Sequence, residues 1–188
     1  MRKLILQMQI TIDGFVARPN GALDWMWAGG ATDQAIVDKV IELADSCDHI
    51  LLGRKMTNEF VTYWENVVNN QPDSPEMDLA RRMVDMQKII FSKTEKDIKG
   101  RNLRVENGDL AAVINELKAL QGKDLMVYGG ADFASSLIKE HLVDEFYFFH
   151  SPVAIGSGMR IFNGDQMLKL ESSTQYKNGK ILNKYLPV

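Results

Sequence analysis

The chain has 188 residues, 45% hydrophobic and 25% charged, so it is long enough to bury a core as one domain and has no low-complexity stretch. A formal net charge of −3 argues against a surface built for nucleic acid or anionic membranes. Its single cysteine, Cys47, excludes an intramolecular disulfide and points to a reducing compartment.

Residues 1–6 begin like a signal peptide, but the apolar run stops at Gln7 and Gln9, short of a secretory core. No segment is apolar for long enough to span a bilayer, so the expectation is a soluble, cytoplasmic protein. Leu4, Leu6, Met8, Ile10 and Ile12 alternate along one face of a strand. Gln7, Gln9 and Thr11 share the other face, which is either solvated or lines a polar cleft. Asp13-Gly14 ends the strand, and a loop rich in Gly, Pro and Asn runs to Gly30. Thr32-Asp33 predicts the cap of a helix with the stripe Ile36, Val37, Val40, Ile41 and Ala44.

Short apolar runs at 50–52, 89–91, 125–128 and 146–149 read as fully buried strands. Between them, Asp109 predicts an N-cap for a helix through Leu110, Val113, Ile114, Leu117 and Leu120 that stops at Gly122. A second helix follows Gly130, with Ala134, Leu137 and Ile138 facing inward. Residues 69–75 read as a surface loop, and Asn178-Gly179, between 168–177 and 180–186, predicts a type I′ hairpin. The predicted fold is a single α/β domain over 1–188. It has one mixed, mostly parallel sheet flanked by helices and a C-terminal antiparallel hairpin.

Several familiar sites are excluded. There is no P-loop, and Ile161 stands where a dinucleotide fingerprint needs its third glycine after Gly156-Ser157-Gly158. His49, His141 and His150 have no metal-ligand spacing with one another or with Cys47, so no metal site is expected.

Three segments remain, each at the carboxyl end of a predicted strand, where open α/β sheets bind ligands. Gly53-Arg54-Lys55-Met56-Thr57 offers a tight turn, free helix amides and a planar guanidinium for a phosphate; it reads equally as a plain turn with two solvated cations. Gly129-Gly130 permits close approach of a ligand to the backbone at a helix start, or simply a tight strand-to-helix connection. Ser92-Lys93-Thr94 carries two hydroxyls and a cation that suit a sugar phosphate, in a composition common to loops. Trp25, Trp27 and Trp64 either cover a planar ring or anchor the core.

In order, these segments resemble the dihydrofolate reductase-like superfamily, and most closely its branch containing the reductase domain of bacterial riboflavin biosynthesis. The likeness covers nearly the whole chain. It rests on Thr11-Ile12-Asp13-Gly14-Phe15, then 53–57, then Phe91-Ser92-Lys93-Thr94. Tyr128-Gly129-Gly130-Ala131 and Pro152-Val153-Ala154-Ile155-Gly156-Ser157-Gly158 complete it.

The resemblance implies NADPH bound across the strand ends, with Gly53, Arg54, Lys55 and Thr57 at its phosphates and Arg54 favouring the extra phosphate. It places Ser92, Lys93 and Thr94 beside the adenosine phosphate. Gly129, Gly130 and Ala131 would lie against the pyrophosphate and nicotinamide half, the two glycines joined by a cis peptide. It also implies a small-molecule substrate near Thr11, Asp13 and Trp25, and a homodimer.

Dihydrofolate reductases carry a carboxylate at the start of the first helix, where this chain has Gly29-Gly30; Asp33 reads as a helix cap. That argues against dihydrofolate and leaves a pyrimidine- or pterin-like ring. Without a deaminase domain, the chain is not expected to be the complete bifunctional riboflavin enzyme. The leading expectation is hydride transfer from NADPH to a C=N or C=O bond of a small heterocycle, with the protein aligning the reactants. Asp13 is the first candidate for binding or protonating the substrate, with a turn before Gly14 as its other reading; Asp24 and Glu59 come after it. The alternatives are a dinucleotide-binding or sensing protein without turnover, and a dimer with a vestigial pocket.

Overall fold

The alternation along residues 4–11 becomes β1 (Leu4–Thr11), the strand around which the sheet is built. Both of its faces are covered: Leu4, Leu6 and Ile5 are buried, and so are Gln7 and Thr11. The polar face is therefore not solvated. Gln9 accepts a hydrogen bond from the buried Lys180 ammonium at 3.1 Å, whereas Gln7 Oε1 has no partner among the described residues. The computed structural model describes residues 1–27 and 33–188, so Thr32 and Gly29-Gly30 lie outside the described residues.

After a short 3-10 turn at Asp24–Trp27 come α1 (Gln34–Asp45), β2 (Cys47–Gly53), α2 (Arg54–Asn70), α3 (Met77–Asp85), β3 (Gln87–Phe91) and β4 (Leu103–Glu106). Then follow α4 (Leu110–Ala119), β5 (Asp124–Gly129), α5 (Ala131–Lys139), β6 (Glu145–Ser151), β7 (Leu168–Gln175) and β8 (Ile181–Pro187). The strands form one sheet in the order β4-β3-β2-β5-β1-β6-β8-β7. Pairing is parallel from β4 through β6 and antiparallel for β6–β8 and β8–β7. This is the expected mixed, mostly parallel sheet.

Successive residues point to opposite faces of a strand, so each buried strand feeds two cores. Ile50, Leu52, Ile90 and Met126 pack with α1, α2 and α3 on one face. Leu51, Ile89, Leu125 and Val127 pack with α4 and α5 on the other. From β1 the chain runs outward through β2, β3 and β4. It then returns to insert β5 between β2 and β1, and crosses to β6 on the far side. The strand order reverses around β1, and because β2, β5, β1 and β6 pair in parallel their carboxyl ends lie along one edge. Such a switch point is the usual ligand edge of an open α/β sheet.

Five details depart from expectation. The helix α3, with Leu79, Ala80, Met83 and Val84 buried, and the half-exposed edge strand β4 are additional elements. Ile12 is 66% exposed, because the chain leaves the sheet there and the Ile12 N–H donates to the Val153 carbonyl. Leu120 is exposed just beyond the end of α4. The terminal hairpin is not type I′, which needs positive φ at both central residues: Gly179 has φ +83° and Asn178 does not share it. Gly179 N–H donates to the Tyr176 carbonyl and Tyr176 N–H to that of Lys180. That is the three-residue loop with glycine in the left-handed position.

Candidate functional site

Gly53 ends β2 and caps α2; Gly129 ends β5, and Gly130 caps α5. Leu52 pairs in register with Gly129, so the two turns stand side by side on the carboxyl edge. The helices leave on opposite faces of the sheet, α2 into one core and α5 into the other. Their first turns are tied by an ion pair from Lys55 Nζ to Asp132 Oδ2 at 2.7 Å.

The packing explains the glycines. A Cβ on Gly53 would sit 2.7 Å from Phe133 Cβ, so α5 reaches this strand end only because nothing projects there. Gly129 has φ +143°, and a Cβ would meet Met56 Sδ at 2.7 Å. The glycines thus admit the chain's own Phe133 and Met56. The peptide between Gly129 and Gly130 is trans, which corrects the cis expectation.

The two helix starts lack the side-chain caps that α1 and α4 have, as does the start of α3 at Glu76. Asp33 accepts from Ala35 N–H at the start of α1, and Asp109 from Ala112 N–H at the start of α4. Gly53 and Gly130 provide no side-chain cap. The first-turn amides of α2 and α5, with the helix dipoles behind them, therefore face one edge together.

The expected cofactor residues fall around this edge with unequal freedom. Arg54 and Lys55 are exposed, and the Arg54 guanidinium lies 3.9 Å from Glu95 Oε1. Thr57 is fully buried, and its hydroxyl donates to the Gly53 carbonyl at 3.1 Å, which places it inside the helix rather than at its surface. Ser92 Oγ accepts the N–H groups of Thr94 and Glu95, so its hydroxyl shapes the turn after β3. Lys93 and Thr94 are exposed there. Ala131 opens α5. Asn107, which the sequence did not single out, donates to the carbonyls of Ser92 and Glu95 and fixes that turn from β4.

At the end of β1, Asp13 fastens a loop. Thr11 Oγ1 donates to its Oδ1 at 2.5 Å, and the N–H groups of Ile155 and Gly156 donate to its Oδ2 at 3.0 and 2.8 Å. The Thr11 hydroxyl also accepts from Phe15 N–H, so both side chains are occupied within the turn. The Thr11 hydrogen bond foremost, then the loop amides, hold the Asp13 carboxyl below its ordinary value. In this structure the Asp13 side chain serves the turn and the loop that it fastens. Asp24 is likewise taken, by a bidentate pair with Arg18 at 2.6 and 2.9 Å.

Trp25 is 2% exposed and Trp64 is buried, so both are packing anchors; Trp27, two residues on from Trp25, is 58% exposed. Of the lone polar groups, His150 is kept neutral by burial, and burial pushes the Cys47 thiol up to about 11. Among the described residues there is no cluster of three metal-ligating side chains, and no helix is long and apolar enough to cross a membrane.

The sheet order, the switch at β1 and the glycine-capped helix starts define a dihydrofolate reductase-like α/β protein. Within that class, the family model described as the RibD C-terminal domain matches residues 2–182, and the chain belongs to that family. The Bacillus subtilis (strain 168) protein YyaP, itself uncharacterized, is 31% identical over 164 residues, covering 86% of this chain and 80% of that protein. The riboflavin biosynthesis protein RibD of Corynebacterium ammoniagenes is 25% identical over 171 residues, 83% of this chain but 44% of that protein. Among solved structures, a protein from Shewanella sp. PV-4 described as one of riboflavin biosynthesis superimposes with a TM-score of 0.76 at 18% identity, covering 99% of each chain.

Proposed function

We propose that this protein is an NADPH-dependent reductase that transfers a hydride to a small heterocyclic substrate of pyrimidine or pterin type. The observation that carries the reading is the pair of uncapped helix starts at neighbouring strand ends, flanked by the exposed cations Arg54 and Lys55. Free amides, converging dipoles and a guanidinium suit the phosphates of an anionic dinucleotide. The first-turn amides of α2 and α5 would hold the pyrophosphate, and Arg54 with Lys93 and Thr94 the adenosine phosphate. When bound, NADPH supplies the hydride; the chain's part is to fix its position and exclude water. The RibD relatives support the same assignment at the level of the family.

Titration with NADPH and then NADH, followed by tryptophan emission and calorimetry, tests it. Tighter binding of NADPH, lost in Arg54→Ala, is the expected result. Binding of neither at millimolar concentration would overturn the reading. The commitment of Asp13 to its loop favours a second reading, a dinucleotide-binding protein without turnover. Oxidation of NADPH that depends on a defined acceptor separates the two.

A further inference from the structure

Three lysines are buried, and two of them are well supplied with acceptors. Lys118 holds Asp144 and the Leu142 carbonyl, and Lys88 donates to three backbone carbonyls. Lys180 is 9% exposed, yet among the described residues its ammonium has one partner, the neutral Gln9 Oε1 at 3.1 Å. An ammonium has three donors, so most of its hydrogen-bonding capacity is unused. The segment Ala28-Gly29-Gly30-Ala31-Thr32 contains no carboxylate that could serve it. Burial lowers the Lys180 ammonium from its ordinary value, and no neighbouring charge raises it again.

Two more polar side chains on the same face lack partners. Gln7, Gln9 and Thr11 alternate along the face of β1 that carries Ile5 into the core with α1, α2 and α3. Thr11 pairs with Ser151, the last residue of β6, and Lys180 precedes Ile181, which pairs with His150. Lys180 therefore stands at the level of Ser151 and reaches Gln9 across β6. Ser151 Oγ and Gln7 Oε1 are buried without a hydrogen-bond partner among the described residues. Unpaired buried groups are costly, and their usual explanation is a partner that is not part of the chain.

The cluster opens to solvent at the carboxyl edge. The strand β1 is paired on both sides, yet Gln9 is partly exposed, and so is Tyr128 on the neighbouring strand. Leu6 pairs with Val127, so Gln7 is level with Tyr128, and Gln9 lies one strand over from Gly129-Gly130.

We infer that Gln7, Gln9, Ser151 and Lys180 form the acceptor site, and that Lys180 binds the heteroatom of the reducible C=N or C=O bond and gives it its proton. The inference rests on the reductase reading for its chemistry. A hydride, with its two electrons, passes from a reduced nicotinamide to the acceptor carbon, and the π electrons of the double bond move to the heteroatom. One N–H bond of Lys180 breaks as the new N–H or O–H bond forms. The products are an oxidised nicotinamide, the reduced ring and a neutral lysine amine, which water reprotonates. A lysine brought by burial toward the working pH suits this exchange. Asp13 and Asp24, by contrast, are engaged within their loops.

The test uses the full chain without cofactor and two pyrimidine probes, barbiturate and uracil. Barbiturate carries on its ring oxygens the negative charge that an arriving hydride builds on the acceptor. At neutral pH it is expected to bind about tenfold more tightly than uracil, through a charged hydrogen bond to the ammonium. Its affinity should fall as pH rises through the pKa of Lys180. Lys180→Met, which keeps the apolar stem, should remove both the preference and the pH dependence. Ser151→Ala breaks no hydrogen bond among the described residues, and it should weaken barbiturate about threefold without lowering the melting temperature. Tyr176, whose N–H donates to the Lys180 carbonyl, and Asp33, which accepts from Lys177 N–H, are the titratable groups beside it on the hairpin and α1. Both remain in every variant, so a pH dependence that survives Lys180→Met belongs to them and overturns the assignment. Equal binding of the two probes, absence of binding included, would also overturn it. A thermal melt shows whether each variant is folded; should Lys180→Met fail, the pH profile of the native chain and Ser151→Ala decide. NADPH titration is read separately. Barbiturate preference without NADPH binding sinks the reductase reading and leaves the site; NADPH binding without the preference does the reverse.

Discussion

The two edges of the sheet use charge in opposite ways. At the amino edge, ionised groups are buried and shared. Glu145, its side chain 7% exposed, holds Lys3 at 2.6 Å, Lys184 at 3.3 Å and the Tyr147 hydroxyl at 3.0 Å. Lys118 is as deeply buried, on Asp144 and the Leu142 carbonyl. Arg2 is paired with Asp48, and Lys88 caps the end of α3 by donating to the Met83, Val84 and Met86 carbonyls. At the carboxyl edge, Arg54 and Lys55 face solvent with partners as exposed as themselves. Buried pairs are costly to break and exposed ones are not, so the amino edge holds the fold together and the charges of the carboxyl edge stay free for the proposed cofactor.

The strongest way to break this comparison is Glu145→Ala. It empties a buried site beside Lys184 and Tyr147, with an expected cost of about 3 kcal/mol in denaturant unfolding, at the low end for a broken buried pair because Lys184 retains Glu171 and Lys3 reaches solvent. Burial pushes the Glu145 carboxyl up, but Lys3, Tyr147 and Lys184 outweigh it and hold it below its ordinary value. A carboxyl whose folded pKa is depressed stabilises fully above its unfolded pKa and loses that contribution as pH falls through the folded one. Acid unfolding of the native chain should therefore show a pH dependence below the usual carboxylate range that Glu145→Ala flattens. An unchanged acid limb would mean that the amino edge is as dispensable as the other.

Next comes Gly53→Ala, which shows what does stabilise the carboxyl edge: close packing. The added Cβ meets Phe133 Cβ, an atom tied to the backbone of α5, and the expected loss is about 1–3 kcal/mol. Trimming Phe133 to alanine should not relieve it, because the obstructing Cβ remains. Relief by that double substitution would show that the ring, not the helix approach, sets the spacing.

Burial explains which of these features the sequence revealed. The strands β2, β3, β5 and β6 were legible because their apolar runs are continuous, as strands covered on both faces must be. The edge strand β4, Leu103-Arg104-Val105-Glu106, is half exposed and has too few apolar residues to stand out. The stripe of α3 was present at 79, 80, 83 and 84 but follows a loop signal that masks it. The glycine turns were legible as positions; that Phe133 fills the space over Gly53 was not, since sheet register brings β2 and β5 together across most of the chain. Likewise Asp13 reads as a turn residue or an acid until the loop amides that occupy it, 142 residues downstream, are in place.

Arg54→Ala should separate binding from stability. The guanidinium is 43% exposed and 3.9 Å from Glu95, so removing it should change unfolding by no more than about 0.5 kcal/mol. A charged hydrogen bond to phosphate contributes about 1.5–3 kcal/mol, so NADPH affinity should fall tenfold or more. A loss of stability matching the loss of affinity would make Arg54 a structural residue and erase the contrast between the edges.

The smallest expected effect lies in the Lys55–Asp132 pair, which is the better formed of the two contacts by distance, at 2.7 Å, and still the weaker support for the fold. Its side chains are 73% and 76% exposed, so water screens the pair and holding two mobile chains together costs entropy. A double-mutant cycle with Lys55→Ala and Asp132→Ala should give a coupling of about 0.5 kcal/mol or less, vanishing at molar salt. A larger, salt-resistant coupling would mean that α2 and α5 are clamped by this pair. Short distance would then have decided the energy, where the rest of the molecule indicates that burial does.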